Sequence, residues 1–553
     1  MDEQNTNLPD DSEFLKSLEA DHIADAHYEV PDFSDTDKTQ IFRTEDLKLP
    51  ESKPEAAPVQ PEAPAPAAPE VPEEAPAAEG GGMKIPPRRK KPETGPTIAG
   101  VNPRYFREVV LPLGICAVAA LFCLVFIAGA VSHRVRANKE IKAANVAASN
   151  SMAEESKRIY DEYAALLLQA EEAANGCDYE TAVALLDSFS GSTADYPDLL
   201  AVRNRYAEEL SRMVVWNDPA QVLNLSFHVL IADASRAFAD EEYGSSYQEN
   251  FITTDEFSRI LNQLYENGYM LVDFDDIIQT VTNSDGSVGY AARPLYLPTG
   301  KKPLMLTETN ANYYTYMVDS DEDGIADQGG AGFASRLIVD ASGNLTNELI
   351  DANGNTVTGA FDMVPILEEF IKAHPDFSYR NARAIIATSG YDGVFGYRIN
   401  KSAQETLGAA AYNMEVAQAK KVAQALIARC YKLACYTYDN IDYNEETTAN
   451  IQIDLHNWTE EIVPVIGATD ILVYARNSDI SDISDYSGDK YDLLKKTGFN
   501  FFLGVGSTSK WASVNKDNVR QFRMTVTGDQ LLYTPEKYSD LFDASSVLSE
   551  VRP

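Results

Sequence analysis

The segment VVLPLGICAVAALFCLVFIAGAV, Val109 to Val131, runs for about 23 residues without a charge, enough to cross roughly 30 Å of hydrocarbon as one helix. A run of this kind constrains everything around it, because the residues before it and the residues after it must fold on opposite sides of a bilayer. A cleavable secretory signal would be shorter and would begin near residue 1, so the run predicts an anchor that stays in the protein, residues 108–132. Arg88, Arg89, Lys90, Lys91, Arg104 and Arg107 precede it, and Arg134, Arg136, Lys139 and Lys142 lie beyond it. That bias predicts a single-pass cell-membrane protein with its N-terminus inside and its large C-terminal part extracytoplasmic.

Residues 1–107 are acidic and then Pro/Ala/Glu-rich, as in ESKPEAAPVQPEAPAPAAPEVPEEAPAAEGGG. Too few large apolar groups are present for a core, which predicts a disordered cytoplasmic tail acting as a spacer. Within it DFSDTDKTQIFRTEDL places Thr39 among acids with Ile41 and Phe42 close behind. This reads either as a phosphorylated element docking a cytoplasmic partner or as a plain acidic tail. The formal charge of −39 disfavours nucleic acid as a partner, since a polyanion would be repelled. Of five cysteines, Cys116 and Cys123 sit in the apolar run, and Cys177, Cys430 and Cys435 match no zinc spacing. Cys430 and Cys435 are either bridged or inert small core residues.

Residues 133–212 are rich in helix formers. Asn175-Gly176 separates two amphipathic stretches and YPDLLAVRNRYAEEL reads as a further helix, together a helical stalk resembling one tetratricopeptide-like hairpin. From 213 to 553 strand-like and helix-like segments alternate, as an α/β fold with parallel strands requires. QVLNLSFHVLI and KPLMLTE read as strands; TTDEFSRILNQLYENGY reads as a helix with a Thr cap and a Gly stop. DASGN and DANGN mark turns of an added β-meander over 337–361. In DSDEDGIAD, Asp319, Asp321, Asp323 and Asp327 have the spacing of oxygen ligands around Ca2+, with Gly330 where a full loop would have Glu; the alternative is a solvated acidic turn.

FITTDEFSRILNQLYENGYMLVDFDDI, KKPLMLTETNANYY, VPILEEFIKAHPDFSYRNARAIIATSGYDGVFGYR, KLACYTYDNIDY and TDILVYARN succeed one another in an order and spacing that resembles the polysaccharide deacetylase family, over about 215–550. The resemblance implies an irregular (β/α) barrel. Active members remove N- or O-acetyl groups from cell-wall or extracellular glycans with a zinc-type metal held by one Asp and two His, beside a second Asp acting as base.

The working letters are changed here. Thr309 and Asn310 stand where a TFDDGY-like loop has its base and its metal-binding carboxylate; a hydroxyl is not basic at neutral pH and an amide is a poor zinc ligand. Tyr436 and Asn440 fill the imidazole positions of an SHTxxH-like loop, and no two of His22, His27, His133, His228, His374 and His456 are four apart. Glu308 adjoins the vacated base position but would point to the opposite face of a strand. Asn310, Tyr313, Tyr436, Asn440 and Arg476 are therefore expected to line a binding cleft, with no catalytic metal at the vacated positions Asn310, Tyr436 and Asn440. Tyr313, Tyr314, Tyr316, Tyr436 and Tyr438 would either stack on sugar rings or simply pack the loops. His228 and His456 read as hydrogen-bonded structure. The expectation is a catalytically inactive deacetylase-like protein binding cell-wall glycan or an envelope partner. The competing reading is an active polysaccharide deacetylase, or another carbohydrate hydrolase, with a rearranged site.

Overall fold

The computed structural model describes residues 106–318, 331–481, 486–505 and 512–553. The Pro/Ala/Glu tract, Thr39 and the loop with Asp319, Asp321, Asp323 and Asp327 lie outside the described residues. The described chain divides into two compact units at Met152.

The first unit is helical. After a π turn at Phe106–Val110, helix α1 (Leu111–Asn175) runs without interruption through the segments expected as span and stalk. Its most apolar stretch has a mean hydropathy of 2.8 and no buried residue, long and apolar enough to cross a membrane.

The second unit begins within α1, whose last turns pack on α2 (Tyr179–Asp187) and α3 (Pro197–Ser211). The Asp178 carboxylate accepts from Thr181 N and caps α2, and Pro197 opens α3 where a missing N–H costs nothing. Ala170, Ala182, Leu186, Leu199 and Tyr206 form the hairpin's own small core.

Seven parallel strands then close into a barrel: β1 (Leu223–His228), β2 (Lys302–Thr309), β3 (Ile385–Thr388), β4 (Lys432–Cys435), β5 (Ile471–Val473), β6 (Phe501–Val505) and β7 (Val519–Thr525). Each pairs with the next, and Met524↔Leu225 and Thr525↔Ser226 join β7 back to β1. Helices α4 (Thr254–Glu266), α5 (Met363–Ala373), α6 (Lys401–Ala428), α7 (Thr448–Asn457) and α8 (Asp489–Thr497) lie in the connections. Parallel strands covered on both faces bury every residue, which is why β1 and most of β2 read as nearly continuous buried runs. Leu225, Leu306, Ile386, Leu433 and Phe502 face outward and pack with Phe257, Leu367, Val422 and Leu455 of the helices. Val222, Met305, Ile385, Ala434, Ile471, Leu503 and Val519 face the lumen.

Local signals explain the helix ends. Thr253 and Glu256 form a reciprocal capping box at α4, and Gly268 ends the segment at φ 81°. Arg336–Val339, Leu345–Ile350 and Thr356–Gly359 form the expected antiparallel meander. Its turns are fastened by Asp340 and Asp351, whose Oδ1 atoms accept from the N–H groups of Asn344 and Asn355 at 2.7 and 2.9 Å. Cys430 and Cys435 are both free. No bridge forms, and Cys430 is not a core residue either: it leaves α6 with φ 67° and an exposed side chain.

Candidate functional site

The lumen is polar along β1, β2 and β7. Asn224 Nδ2 donates to Gln521 Oε1 at 3.1 Å, and Thr307 Oγ1 donates to Asn224 Oδ1 at 2.9 Å. Nearer the C-terminal ends of the strands, Arg523 Nη1 donates to Ser226 Oγ at 3.0 Å and Nη2 to the Tyr474 carbonyl at 2.8 Å. Its guanidinium carbon lies 5.8 Å from the centre of the Tyr436 ring. A positive charge of the chain's own therefore stands beside Tyr436, one of the residues singled out in the sequence.

The residues singled out in the sequence sit where β2, β4 and β5 end. Thr309 ends β2 facing the lumen, 2.9 Å from His228 Nδ1 at the end of β1. Its hydroxyl also lies 3.2 Å from the Phe227 carbonyl, and its single proton goes either to that carbonyl or to Nδ1, according to the tautomer of the imidazole. His228, set aside as structural, is thus the immediate partner of Thr309. Asn310 comes next in the left-handed region at φ 57°, which asparagine tolerates better than most residues. Its Oδ1 accepts from Tyr314 Oη at 2.9 Å, while its buried Nδ2 has no partner among the described residues. Asn440, at φ 55°, gives its backbone carbonyl to Arg476 Nε at 3.0 Å and keeps a buried Oδ1 without a partner among the described residues. Asp454, buried behind this loop, holds it by accepting from Tyr438 N and Asp439 N, each at 2.8 Å. Burial pushes the Asp454 carboxyl up to about 6, against those donors and the Tyr443 hydroxyl.

Tyr313 lies elsewhere. Its hydroxyl accepts from Asn347 Nδ2 at 3.2 Å in the helical shell, away from Asn310. The rings of Tyr313, Tyr314, Tyr316 and Tyr436 are at most 1% exposed and Tyr438 is 9% exposed, so these tyrosines pack the loops and present no platform for a sugar. A zipper joins the loops after β2 and β3 around Tyr313, Tyr314 and Tyr316: Phe395 N donates to the Ala311 carbonyl, Gly396 N to that of Asn312 and Arg398 Nη2 to that of Tyr313.

Glu308 points outward, as strand alternation requires. It is fully buried and its oxygens accept from no donor among the described residues; the carboxyl facing it is that of Asp362. Asp362 accepts from Leu230 N and Met363 N, both at 2.8 Å. Burial, then the Asp362 charge, raises the Glu308 carboxyl well above the usual carboxylate range. With more donors around it, Asp362 keeps the charge and Glu308 the proton. The sequence exposed neither Asp362 nor Arg523. The available signal for Arg523 was its period-two spacing with Gln521 in RQFRMTVTG, two polar residues on one face of a strand.

The donors of Asn310, Tyr436 and Asn440 do not fit a zinc-type ion. Asn310 offers an N–H and an already engaged oxygen, Tyr436 a phenol, and Asn440 a neutral amide oxygen, beside a guanidinium. No cluster of three or more His, Cys, Asp or Glu side chains suited to a metal occurs among the described residues.

These observations define a closed, seven-stranded parallel (β/α) barrel whose C-terminal mouth carries the amides of Asn310 and Asn440 beside the Arg523 guanidinium. No family profile and no curated protein matches the sequence. A solved structure, Streptococcus pyogenes deacetylase PplD in complex with acetate, is similar over 56% of this chain and 93% of its own, at 10% identity and a TM-score of 0.28. So low a score carries no argument, and the fold rests on the strand pairings described above.

Proposed function

We propose that this is a membrane-anchored, extracytoplasmic barrel of the polysaccharide deacetylase type that recognises acetamido-bearing cell-wall glycan without hydrolysing it. The observation that carries the reading is the pair of orphaned polar atoms at the vacated positions, the donor Asn310 Nδ2 and the acceptor Asn440 Oδ1. Buried polar groups without partners are costly, and a ligand that satisfies both recovers that cost. An acetamido group offers the complementary set, a carbonyl oxygen for Nδ2 and an N–H for Oδ1. Catalysis is disfavoured because the hydroxyl of Thr309 is not basic at neutral pH, and because the Arg523 guanidinium opposes a second cation there.

Anchoring is supported by the apolar stretch of α1, and the Lys and Arg bias in the sequence supports an inside N-terminus. The test uses full-length protein in detergent with N-acetylated chitooligosaccharide and its deacetylated counterpart, with and without added zinc or cobalt. Binding selective for the acetylated form, with no acetate released, is expected. Metal-dependent acetate release would reject the non-catalytic reading. Equal indifference to both sugars would reject glycan recognition in favour of an envelope protein partner.

A further inference from the structure

Away from the barrel mouth, a cleft of about 300 Å³ lies where the helical hairpin meets the segment leading into β3. Its lining includes Glu180 of α2, Asp276, Arg293, Tyr296, Tyr379 and Arg380. Such a volume is at the small end of ligand sites, about 300–1,000 Å³. Both signs of charge converge on it. Arg293 forms no ion pair among the described residues and gives one donor, Nη1, to the Asp275 carbonyl at 3.0 Å. Arg380 Nη2 reaches Asp178 at 3.1 Å and Glu180 at 3.2 Å, while its buried Nε has no partner among the described residues. Asp276 is 8% exposed and accepts from Asp273 N at 2.9 Å. Burial pushes its carboxyl up to about 7, against the attraction of Arg380 and Arg293.

The backbone is also unusual here. Arg380 (φ 49°, ψ 36°) and Asn381 (φ 65°) are consecutive non-glycine residues in the left-handed region. That conformation is unfavourable and persists only where the surroundings impose it. The surroundings do so through Arg380 N, which donates to the Gly176 carbonyl at 2.9 Å and fastens the loop to the turn between α1 and α2. The main chain of Arg380 is thereby fixed beside the cleft, and its guanidinium is held there by Asp178 and Glu180.

We infer that this cleft is a binding site for a small zwitterion of the amino-acid or dipeptide class, with its carboxylate between Arg293 and Arg380 and its ammonium on Asp276. A simple anion would meet Asp276 and Glu180, and a simple cation would meet two guanidiniums; a ligand carrying both charges matches both. The site stands apart from the barrel mouth, and the inference does not depend on what the mouth binds.

Isothermal titration of the full-length protein in detergent with L-alanine, D-alanine and diglycine, with acetate and ethylammonium as single-charge controls, tests it. At least one zwitterion is expected to bind at least tenfold more tightly than either control. Arg293→Met and Asp276→Asn should each weaken that binding tenfold or more. Arg293→Met, altering a surface guanidinium, should leave the melting temperature of the ligand-free protein unchanged and so carries the test even if Asp276→Asn fails to fold. Absence of binding by every zwitterion, binding insensitive to Arg293→Met, or acetate binding as tightly as diglycine would each overturn the assignment.

Discussion

Replacing Glu308 by Gln is expected to change how stability depends on pH. Glu308 is fully buried against Asp362, with Tyr313 and Tyr431 as the other titratable groups nearby. Its carboxyl is raised, first by burial and then by the Asp362 charge, so the folded protein holds a proton that the unfolded chain releases above about pH 4.3. A raised carboxyl contributes stability that is complete below the unfolded value and is lost as pH rises toward the folded one. While the native state stays protonated, the slope is about −1.4 kcal/mol per pH unit, or about 2.7 kcal/mol between about pH 5.5 and 7.5. Glutamine keeps the shape, donates an N–H toward the Asp362 carboxylate and does not titrate, so Glu308→Gln should gain about that much relative to the parent across the same interval. Asp276 and Asp454, raised by burial to about 7 and about 6, titrate in both proteins and cancel in the difference. Urea unfolding of the two proteins at several pH values, monitored by fluorescence of the buried Trp458, measures it. Parallel pH dependences would refute the assignment of the proton to Glu308.

Arg552 and Glu256 form an ion pair at 2.7 Å with side chains 1% and 0% exposed, and Arg552 also donates to the Phe251 carbonyl. Arg552→Met should destabilise by about 3–5 kcal/mol by stranding a buried carboxylate, and adding Glu256→Gln should recover part of the loss in the same urea assay. A membrane-impermeant maleimide applied to intact cells should label Cys430, which is exposed, and labelling should vanish in Cys430→Ser; Cys177 and Cys435 are buried, and burial pushes the Cys177 thiol up to about 11 and the Cys435 thiol well above its usual range. Absence of labelling would contradict an outward-facing barrel. Thr253→Ala removes half of the capping box of α4 and should cost about 1 kcal/mol by thermal melting.

Much of the molecule is set by residues near one another in the chain. The uncharged run after Val109 can only be helix in hydrocarbon, because no other single segment satisfies its own backbone there. Thr253 with Glu256, the Asx turns at Asp340 and Asp351, and Pro197 set element ends through contacts within about four residues. Alternation along β2 alone puts Thr309 in the lumen and Glu308 outside it, and the identities of Thr309, Asn310, Tyr436 and Asn440 state what they cannot ligate. Other features required the fold. Closure joins Ser226 to Thr525, the partner of Glu308 comes from the segment before α5, and Arg523 reaches Tyr436 only because β4 and β7 share a lumen. The tyrosines were legible as aromatic but not as buried, since the loops that pack around them come from distant parts of the chain. Local periodicity determines the face a side chain takes; which group meets it there depends on register between strands far apart in the chain, and only the assembled barrel sets that.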